Sequence, residues 1–250
     1  MRSGETLVLV DAGVSRLQIL KRLAVFGISI DDLDAVFITH EHSDHIMGLD
    51  VLARRHPVPV WATRGTWSRL DVRCDGGGDL ESGCEVVVGN ISVLPVGTSH
   101  DAAEPVAFVI DDGNHQLGYC TDTGIFTGLL ERRMGGVDLL LIETNHDADM
   151  LRHGPYPWPL KQRIASRLGH LANHQTQEAV DRMASPNLCG AVGLHLSEEN
   201  NAAALALEAL KQSLPEDVPS TVVTRSEMLR ITIESGAAIF EKHELPAKGS

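Results

Sequence analysis

The stretch FITHEHSDHIMGL, residues 37–49, places three histidines and two acids between two apolar runs. The run before it, DAVFIT at 34–39, is short and continuously apolar, as in a strand that is buried on both faces. After Ile46 the apolar residues recur at helical intervals until His56-Pro57, where proline ends the pattern. The polar cluster is therefore predicted to occupy a strand-to-helix turn.

Length and composition indicate an ordinary globular protein. The 250 residues are 43% hydrophobic, enough for a packed core. We predict one domain over 1–240 and a loose tail over 241–250. No apolar run approaches the roughly 18 residues of a membrane span, and the first residues lack a signal-peptide pattern. We therefore expect no membrane association and a cytoplasmic location.

Charge and cysteine content narrow the class of protein further. A net charge of −13 argues against a generic polyanion-binding surface, although a local basic cleft is compatible with it. The four cysteines show no CxxC spacing, so neither a zinc ribbon nor a disulfide framework is indicated. The twelve histidines are the more informative feature because several of them are clustered.

Polar residues follow three further strand-like runs. The run at 90–100 ends in His100, the run at 115–124 contains Asp122 near its end, and the run at 188–197 contains His195. In layered α/β proteins, ligand sites collect at strand ends, where loops converge on a rigid scaffold. We therefore expect these side chains and the cluster at 37–49 to form one site.

Helices are predicted where apolar residues recur with helical spacing next to capping residues. Their predicted ranges are about 15–27 with Ser15 as cap, 46–56, 124–134, 174–184 with Asn173 as cap, and 198–213 with Ser197 as cap.

The spacing of the cluster suits metal binding. His40 and His42 are two residues apart, so their imidazoles project to the same side of an extended turn. Asp44 and His45 follow at the helix start, where they face a second point. Imidazoles with a few carboxylates suit zinc, and also manganese or iron. The alternative is a solvated loop with incidental histidines.

The complete set of residues predicts two metal ions. Two ions about 3.5–4 Å apart activate water and stabilise the attacking and leaving oxygens of a displacement, which is the chemistry of a hydrolase. One ion would be bound by His40, His42 and His100, the other by Asp44, His45 and His195, with Asp122 bridging the two.

This motif set resembles the metallo-β-lactamase superfamily. The resemblance implies an α/β fold, a four-layer αββα sandwich with the metal site at one edge. Asp11 in LVLVDAG, residues 7–13, matches the first acidic motif of that superfamily, which supports the site without binding metal. From the sequence alone, Asp11 could equally cap a helix.

A narrower resemblance is to the YycJ/WalJ-like branch of single-strand-directed 5′-to-3′ exonucleases. That branch usually begins with a strand and a Gly/Ser-rich turn, whereas only residues 1–6 precede LVLVDAG here. We therefore expect the first strand to be shortened or missing. The segments that carry the resemblance are 37–63, 117–124, 143–164, 169–180 and 195–201.

Two further residues bear on the bond that is cleaved. His170 and Glu143 resemble the paired histidine and glutamate of the tRNA-processing and phosphodiesterase branches, where the histidine contacts the scissile phosphate and the acid orients it. With Asp44 they form the predicted catalytic set. The alternatives are a helix-entry role for His170 and local pairing of a buried acid for Glu143. His146 and His153 either touch substrate or lie on the surface.

Basic and aromatic residues bear on the partner. Tyr156 and Trp158 either stack on bases or belong to a rigid packed loop. The basic residues either line a groove for a phosphate backbone or lie on solvated helix faces. They are Arg54, Arg55, Arg64, Arg69 and Arg73 in one stretch and Arg152, Lys161, Arg163 and Arg167 in another.

The motifs thus predict a hydrolase with two divalent ions, zinc or manganese, and the resemblance implies a phosphodiesterase that acts on single-stranded DNA as a 5′-to-3′ exonuclease. The alternatives are an RNA-processing nuclease, a lactonase or β-lactamase that cleaves C–O or C–N bonds, and a non-catalytic binding module of the same fold.

Overall fold

The structure is a computed structural model that describes residues 1–72, 74, 76–183 and 185–246. Arg73, one of the predicted basic residues, lies outside the described residues. The chain divides into two compact units: unit 1 contains Met1–Gly97 and Ala102–Asn114, and unit 2 contains Thr98–Asp101 and His115–Glu244. The single domain over 1–240 stays a prediction.

A five-stranded sheet organises unit 1. Its strands follow one another in chain order, and all neighbours are parallel except the first pair, in which Arg2 lies opposite Leu7. The first strand, predicted to be shortened or missing, is two residues long. The strands are β1 (Arg2–Ser3), β2 (Thr6–Val10), β3 (Ala35–Phe37), β4 (Val60–Thr63) and β5 (Gly77–Leu80).

Among the described residues of unit 1, four helices accompany this sheet. The predicted helix after Ser15 is confirmed, because the Ser15 hydroxyl accepts a hydrogen bond from the backbone N–H of Gln18. The buried side chains of the unit, such as Val36, Leu49 and Leu52, pack in one apolar cluster. The helices are α1 (Arg16–Val25), α2 (Ser43–Ile46), α3 (Leu49–Arg55) and α4 (Arg64–Trp67), with one 3₁₀ turn at Ile30–Asp32.

The helix predicted over 46–56 is interrupted at Gly48. Its backbone N–H donates to the carbonyl of Ala12 at 2.8 Å, and a Cβ at this position would lie 2.2 Å from the carbonyl oxygen of Val14. The loop after β2 thus packs directly on the turn that carries the histidines. The Ala12 N–H adds a hydrogen bond to the carbonyl of His45 at 2.7 Å.

Three more strands complete unit 1 as an antiparallel meander. Within it Val93 lies opposite Ile110, and both side chains are buried. The strands are β6 (Val86–Val88), β7 (Ile91–Gly97) and β8 (Val106–Asp111).

Unit 2 contains four parallel strands in the order β12-β11-β10-β9, so their carboxyl ends lie at one edge. Glu143 at the end of β10 lies opposite Leu194 at the end of β11. The strands are β9 (Gln116–Cys120), β10 (Leu139–Glu143), β11 (Gly190–Leu194) and β12 (Ser220–Val222), and a separate antiparallel hairpin is formed by β13 (Glu227–Glu234) and β14 (Ala237–Glu244).

The helices of unit 2 begin later than predicted in two cases. The helix predicted from 124 begins at Gly128, because Thr127 provides the cap by accepting from the Leu130 N–H. The helix predicted from 198 begins at Ala203, and Ser197 instead accepts from the Asn200 N–H in the preceding turn. The helices are α5 (Gly128–Met134), α6 (Ala148–His153), α7 (Trp158–Ile164), α8 (Asn173–Met183) and α9 (Ala203–Ser213).

Two other boundaries differ from the sequence-based expectations. Asn173, expected as a cap, is the first residue of α8. β14 runs to Glu244, so the first four residues of the predicted tail are strand, and 247–250 lie outside the described residues. Among the described residues, no helix has both the length and the apolar character to cross a membrane.

Gly13 gives a stability test of the loop that packs on the histidine turn. A Cβ at Gly13 would lie 1.7 Å from the carbonyl oxygen of Asp44, so Gly13→Ala must displace backbone. We expect it to lower the free energy of unfolding in urea by about 1–3 kcal/mol, the usual cost of overpacking.

Gly128→Ala is the matched control. It lies at the start of α5, where a Cβ has no neighbour closer than the Arg132 Nη1 at 3.6 Å. Alanine should stabilise a helical position by roughly 0.5–1 kcal/mol. Equal unfolding free energies for the two variants would contradict the packing argument.

Candidate metal centre

In unit 1, Asp11 holds the turn that carries the histidine cluster. Asp11 directly follows β2 and has a φ of 59°, which is unusual for a residue with a side chain. Its Oδ2 accepts from Nδ1 of His45 at 2.8 Å and from the Thr39 hydroxyl at 2.9 Å, while its Oδ1 accepts from the Thr39 N–H at 2.8 Å. It does not cap α1, whose N-cap is Ser15.

The three imidazoles of the cluster lie close together. The ring centroid of His40 is 4.6 Å from that of His42 and 4.1 Å from that of His45. Because His45 donates through Nδ1 to Asp11, its Nε2 has the lone pair suited to a metal. Asp44 is exposed, with its Oδ2 3.9 Å from the His45 Nε2. Unit 1 thus supplies four of the seven predicted ligands: His40, His42, Asp44 and His45.

In unit 2, the predicted residues lie where parallel strands end. Asp122 follows β9, Glu143 is the last residue of β10, and His195 directly follows β11. Asp122 and His195 each have a φ of 58°. Non-glycine residues reach this region at a cost of roughly 1–3 kcal/mol, so the surrounding contacts must impose it. One such contact is the side-chain amide of Asn145, which donates to the His195 carbonyl at 2.9 Å.

Glu143 organises the cluster of predicted residues in unit 2. It is fully buried, and its Oε1 accepts from Nδ1 of His170 at 2.8 Å and from Nδ1 of His195 at 2.9 Å. Its Oε2 accepts from the backbone N–H of Thr123 at 3.1 Å and of Leu171 at 3.2 Å. A carboxylate offers about four acceptor positions, and all four are used here. Glu143 is therefore a positioning residue rather than a metal ligand.

These contacts set the ionisation of the site in the metal-free protein. Burial alone would raise the pKa of Glu143, but the hydrogen bonds from His170 and His195 outweigh it and lower the pKa to about 2. Burial likewise opposes charge on His170, but the hydrogen bond to Glu143 and its negative charge raise the pKa of this histidine. Glu143 is thus paired with two predicted site residues, His170 and His195, and not with a neighbour in the sequence.

His100 is buried beside these residues. Its Nδ1 donates to the carbonyl of Gly169 at 3.0 Å, and its Nε2 lies 3.7 Å from Oδ1 of Asp122. Burial lowers the pKa of His100, so the neutral imidazole that metals require is favoured. The Asp122 Oδ1 also lies 3.5 Å from Nδ1 of His195 and 3.6 Å from Nδ1 of His170.

The donor chemistry fits a divalent ion. In unit 2, ligand atoms of Asp122, Glu143, His170 and His195 all lie within 4.8 Å of one another. Imidazole nitrogens with a carboxylate oxygen suit zinc, manganese or iron. Since Glu143 has no acceptor position left, Asp122 and His195 are the better ligands in this group. Unit 2 supplies the remaining predicted ligands: His100, Asp122 and His195.

Other predicted residues lie in less specific environments. His153 is exposed and pairs with the carbonyl of Asp149, whereas His146 is buried. Arg54, Arg64 and Arg163 form ion pairs with Asp50, Asp79 and Asp101, as solvated basic residues often do.

Thr39 and Asn145 are site residues that the sequence analysis did not single out. Thr39 is buried between Asp11 and the Nδ1 of His40, which lies 3.0 Å from its hydroxyl. Thr39 directly precedes His40, and Asn145 follows Glu143 by two residues at the end of β10. A polar residue at a strand end was the feature of the sequence that could have identified them.

Comparison with known proteins establishes the family. Residues 6–191 match the model of the beta-lactamase superfamily domain. Exodeoxyribonuclease YycJ of Bacillus anthracis is 36% identical over 217 residues, which is 85% of this chain and 82% of that protein. The chain belongs to the metallo-β-lactamase superfamily and, within it, to the YycJ/WalJ family. The family predicted from the motifs is confirmed.

Two further likenesses agree with this family. Exodeoxyribonuclease WalJ of Streptococcus pneumoniae is 39% identical over 215 residues, 82% of this chain and 79% of that protein. The solved structure of the metallo-β-lactamase fold protein YhfI from Bacillus subtilis superposes with a TM-score of 0.70 at 19% identity, covering 89% of this chain and 86% of that one. The predicted metallo-β-lactamase fold is confirmed.

The low pKa of Glu143 predicts how stability depends on pH in this YycJ/WalJ family member. Because the pKa is about 2 in the folded protein and 4.5 ordinarily, Glu143 stabilises the fold above pH 4.5. That contribution is lost as the pH falls towards 2. In urea unfolding of the metal-free protein, Glu143→Gln should be less stable than the native chain at pH 5–6, and the gap should close on acidification. A gap independent of pH would contradict the assignment.

Proposed function

We propose that the chain is a metal-dependent phosphodiesterase that acts as a 5′-to-3′ exonuclease on single-stranded DNA. The observation that carries the proposal is the hydrogen bond between Glu143 and His170, because it presents an oriented imidazole beside Asp122 and His195. The YycJ and WalJ relatives, named exodeoxyribonucleases, support DNA as the substrate. A DNA substrate also agrees with the predicted cytoplasmic location.

We further propose that the seven predicted ligands bind two divalent ions, zinc or manganese. The donor set in each unit supports this assignment, since neutral imidazoles and carboxylates are their preferred ligands. Such ions activate water and offset negative charge on phosphate oxygens. The ligands are His40, His42, Asp44, His45, His100, Asp122 and His195.

His170 is assigned to the leaving group. Its Nδ1 donates to Glu143, so its Nε2 carries the proton that can be transferred when the imidazole is charged. Transfer of this proton to the leaving oxygen would prevent an unstable alkoxide from forming. Glu143 holds the ring in one orientation by the same hydrogen bond, and His195 shares that carboxylate oxygen. The Glu143 carboxylate therefore orients both the proposed proton donor, His170, and a proposed metal ligand, His195.

The first experiment is digestion of a single-stranded DNA oligonucleotide by the metal-loaded protein, with either manganese or zinc. A 5′ label should appear in short products at the earliest times, while a 3′ label stays in long fragments. Asp44→Ala should show no digestion; because Asp44 is exposed, its loss should leave the fold intact. A matched RNA of the same sequence tests the preference for DNA. Absence of cleavage with both metals bound would contradict the proposal.

A second experiment separates metal binding from proton transfer. Asp122→Ala should lose both bound metal and activity, whereas His170→Ala should keep its metal and lose activity by about 10²–10⁴-fold. His153→Ala is the control, since this exposed histidine bonds only to the carbonyl of Asp149 among the contacts described. Metal content is measured by elemental analysis of the purified variants.

Two outcomes would overturn these roles. Equal metal loss in Asp122→Ala and His170→Ala would remove the distinction between ligand and proton donor. Full DNA cleavage by His170→Ala would refute its role as proton donor. Hydrolysis of a lactone or β-lactam by the metal-loaded protein, with DNA left intact, would instead show that the bond cleaved is C–O or C–N.

A further inference from the structure

Unit 2 contains a cavity of about 350 Å³ beside α6, α7 and the start of α8. The residues that give it chemical character are His146, Arg152, Trp158, Lys161, His174 and Gln175. None of the predicted ligands or catalytic residues lines it. The cavity is therefore a feature separate from the candidate metal centre.

The lining favours an anionic ligand. Among the described residues that line the cavity, none is acidic, although the chain has 34 acidic residues against 21 basic ones. Two of the lining residues, Arg152 and Lys161, are cationic. The Lys161 ammonium donates to the carbonyls of Arg152 and Gly154, at 2.8 and 2.7 Å, and so fixes the end of α6 against α7. In the part of the chain that is described, no carboxylate forms an ion pair with the Arg152 guanidinium.

Trp158 offers a platform for a planar group. It is the first residue of α7, and its side chain is 66% exposed at the wall of the cavity. α7 buries none of its residues, so packing does not explain an indole here. Aromatic side chains beside basic groups are the usual means by which proteins bind single-stranded nucleic acid.

His146 also lines this cavity and carries an unsatisfied polar atom. Its side chain is 2% exposed, and its buried Nδ1 has no hydrogen-bond partner among the described residues. Burial lowers the pKa of His146 to about 4, so the ring stays neutral at neutral pH and offers both a donor and an acceptor.

The cavity adjoins the residue assigned to the leaving group. Ala172 lines the cavity, and His170 precedes it by two residues, a separation of at most about 7 Å between Cα atoms. His170 itself lines a second cavity of about 270 Å³ with Tyr156 and Arg163. Since α7 contributes Trp158 to the first cavity and Arg163 to the second, the two lie on either side of one short helix.

We propose that the cavity beside Trp158 binds one nucleotide of the DNA strand next to the scissile phosphate, with its base on Trp158 and its phosphate at Arg152. The inference rests on the proposed nuclease function and adds a binding site to it. The base stacks on the indole, and its polar edge meets His146. One nucleotide is thereby held in place while His170 acts on the adjacent phosphodiester.

The test is equilibrium binding of deoxyadenosine 5′-monophosphate, deoxyribose 5-phosphate and inorganic phosphate to the metal-loaded full chain, measured by calorimetry. Trp158→Ala should weaken binding of the nucleotide by about 10-fold or more, the scale of one stacked base, and leave the sugar phosphate unchanged. Trp158→Phe should restore most of the affinity. Arg152→Ala should weaken binding of all three ligands, because each carries the phosphate assigned to this arginine.

Arg225→Ala is the control for lost positive charge, because this arginine is 79% exposed in unit 2 and lines neither cavity. In digestion of oligonucleotides, Trp158→Ala should raise KM more than it lowers kcat. Equal nucleotide binding by the native chain and Trp158→Ala would overturn the inference even if DNA is cleaved. Nucleotide binding that depends on Trp158, without cleavage of DNA by any metal-loaded form, would uphold the site and refute the nuclease function.

Discussion

The buried carboxylate of Glu143 is the group on which the candidate site depends. An ionised carboxylate without water is tolerated only if its lone pairs are used, and Glu143 receives two backbone N–H groups and two imidazoles. The same four bonds fix the chain at Thr123 and Leu171 and the rings of His170 and His195. The electrostatic requirement of one acid therefore sets the geometry of both histidines and aligns the segments that follow β9, β10 and β11.

The strands determine where this acid finds its partners. In the parallel arrangement of β9, β10 and β11, carboxyl ends share one edge, and the register sets Glu143 opposite Leu194, directly before His195. Asp11 in unit 1 and Asp122 and His195 in unit 2 each adopt a positive φ just after a strand. The backbone strain of a positive φ therefore falls at the strand ends, which is where side chains can reach a ligand. Asp11 does for His45 what Glu143 does for His195: each carboxylate accepts from Nδ1 and leaves Nε2 for metal.

The sequence predicted the parts of this arrangement that depend on local pattern. Apolar runs followed by polar residues located the strand ends at His40, Asp122 and His195, because burial of a strand is visible in its composition. Contacts between residues far apart in the chain could not be predicted from the sequence. α9 begins at Ala203 because Asn201 is buried in hydrogen bonds to Asn173 and to the carbonyl of Thr144. Likewise, the fourfold use of the Glu143 carboxylate requires groups from three separate segments, which no spacing within one segment reveals.

The charge of the protein limits how it can hold a polyanion. With a net charge of −13, long-range attraction cannot gather a DNA strand, so affinity has to come from a few short-range contacts. The ion pairs of Arg54, Arg64 and Arg163 consume basic groups that might have formed a broad groove. What remains concentrated is Arg152 and Lys161 beside an exposed indole, in a cavity whose lining has no acid among the described residues. At the proposed nucleotide site, stacking and local charge would hold one nucleotide of a single strand, whereas the paired bases of duplex DNA are not available to stack.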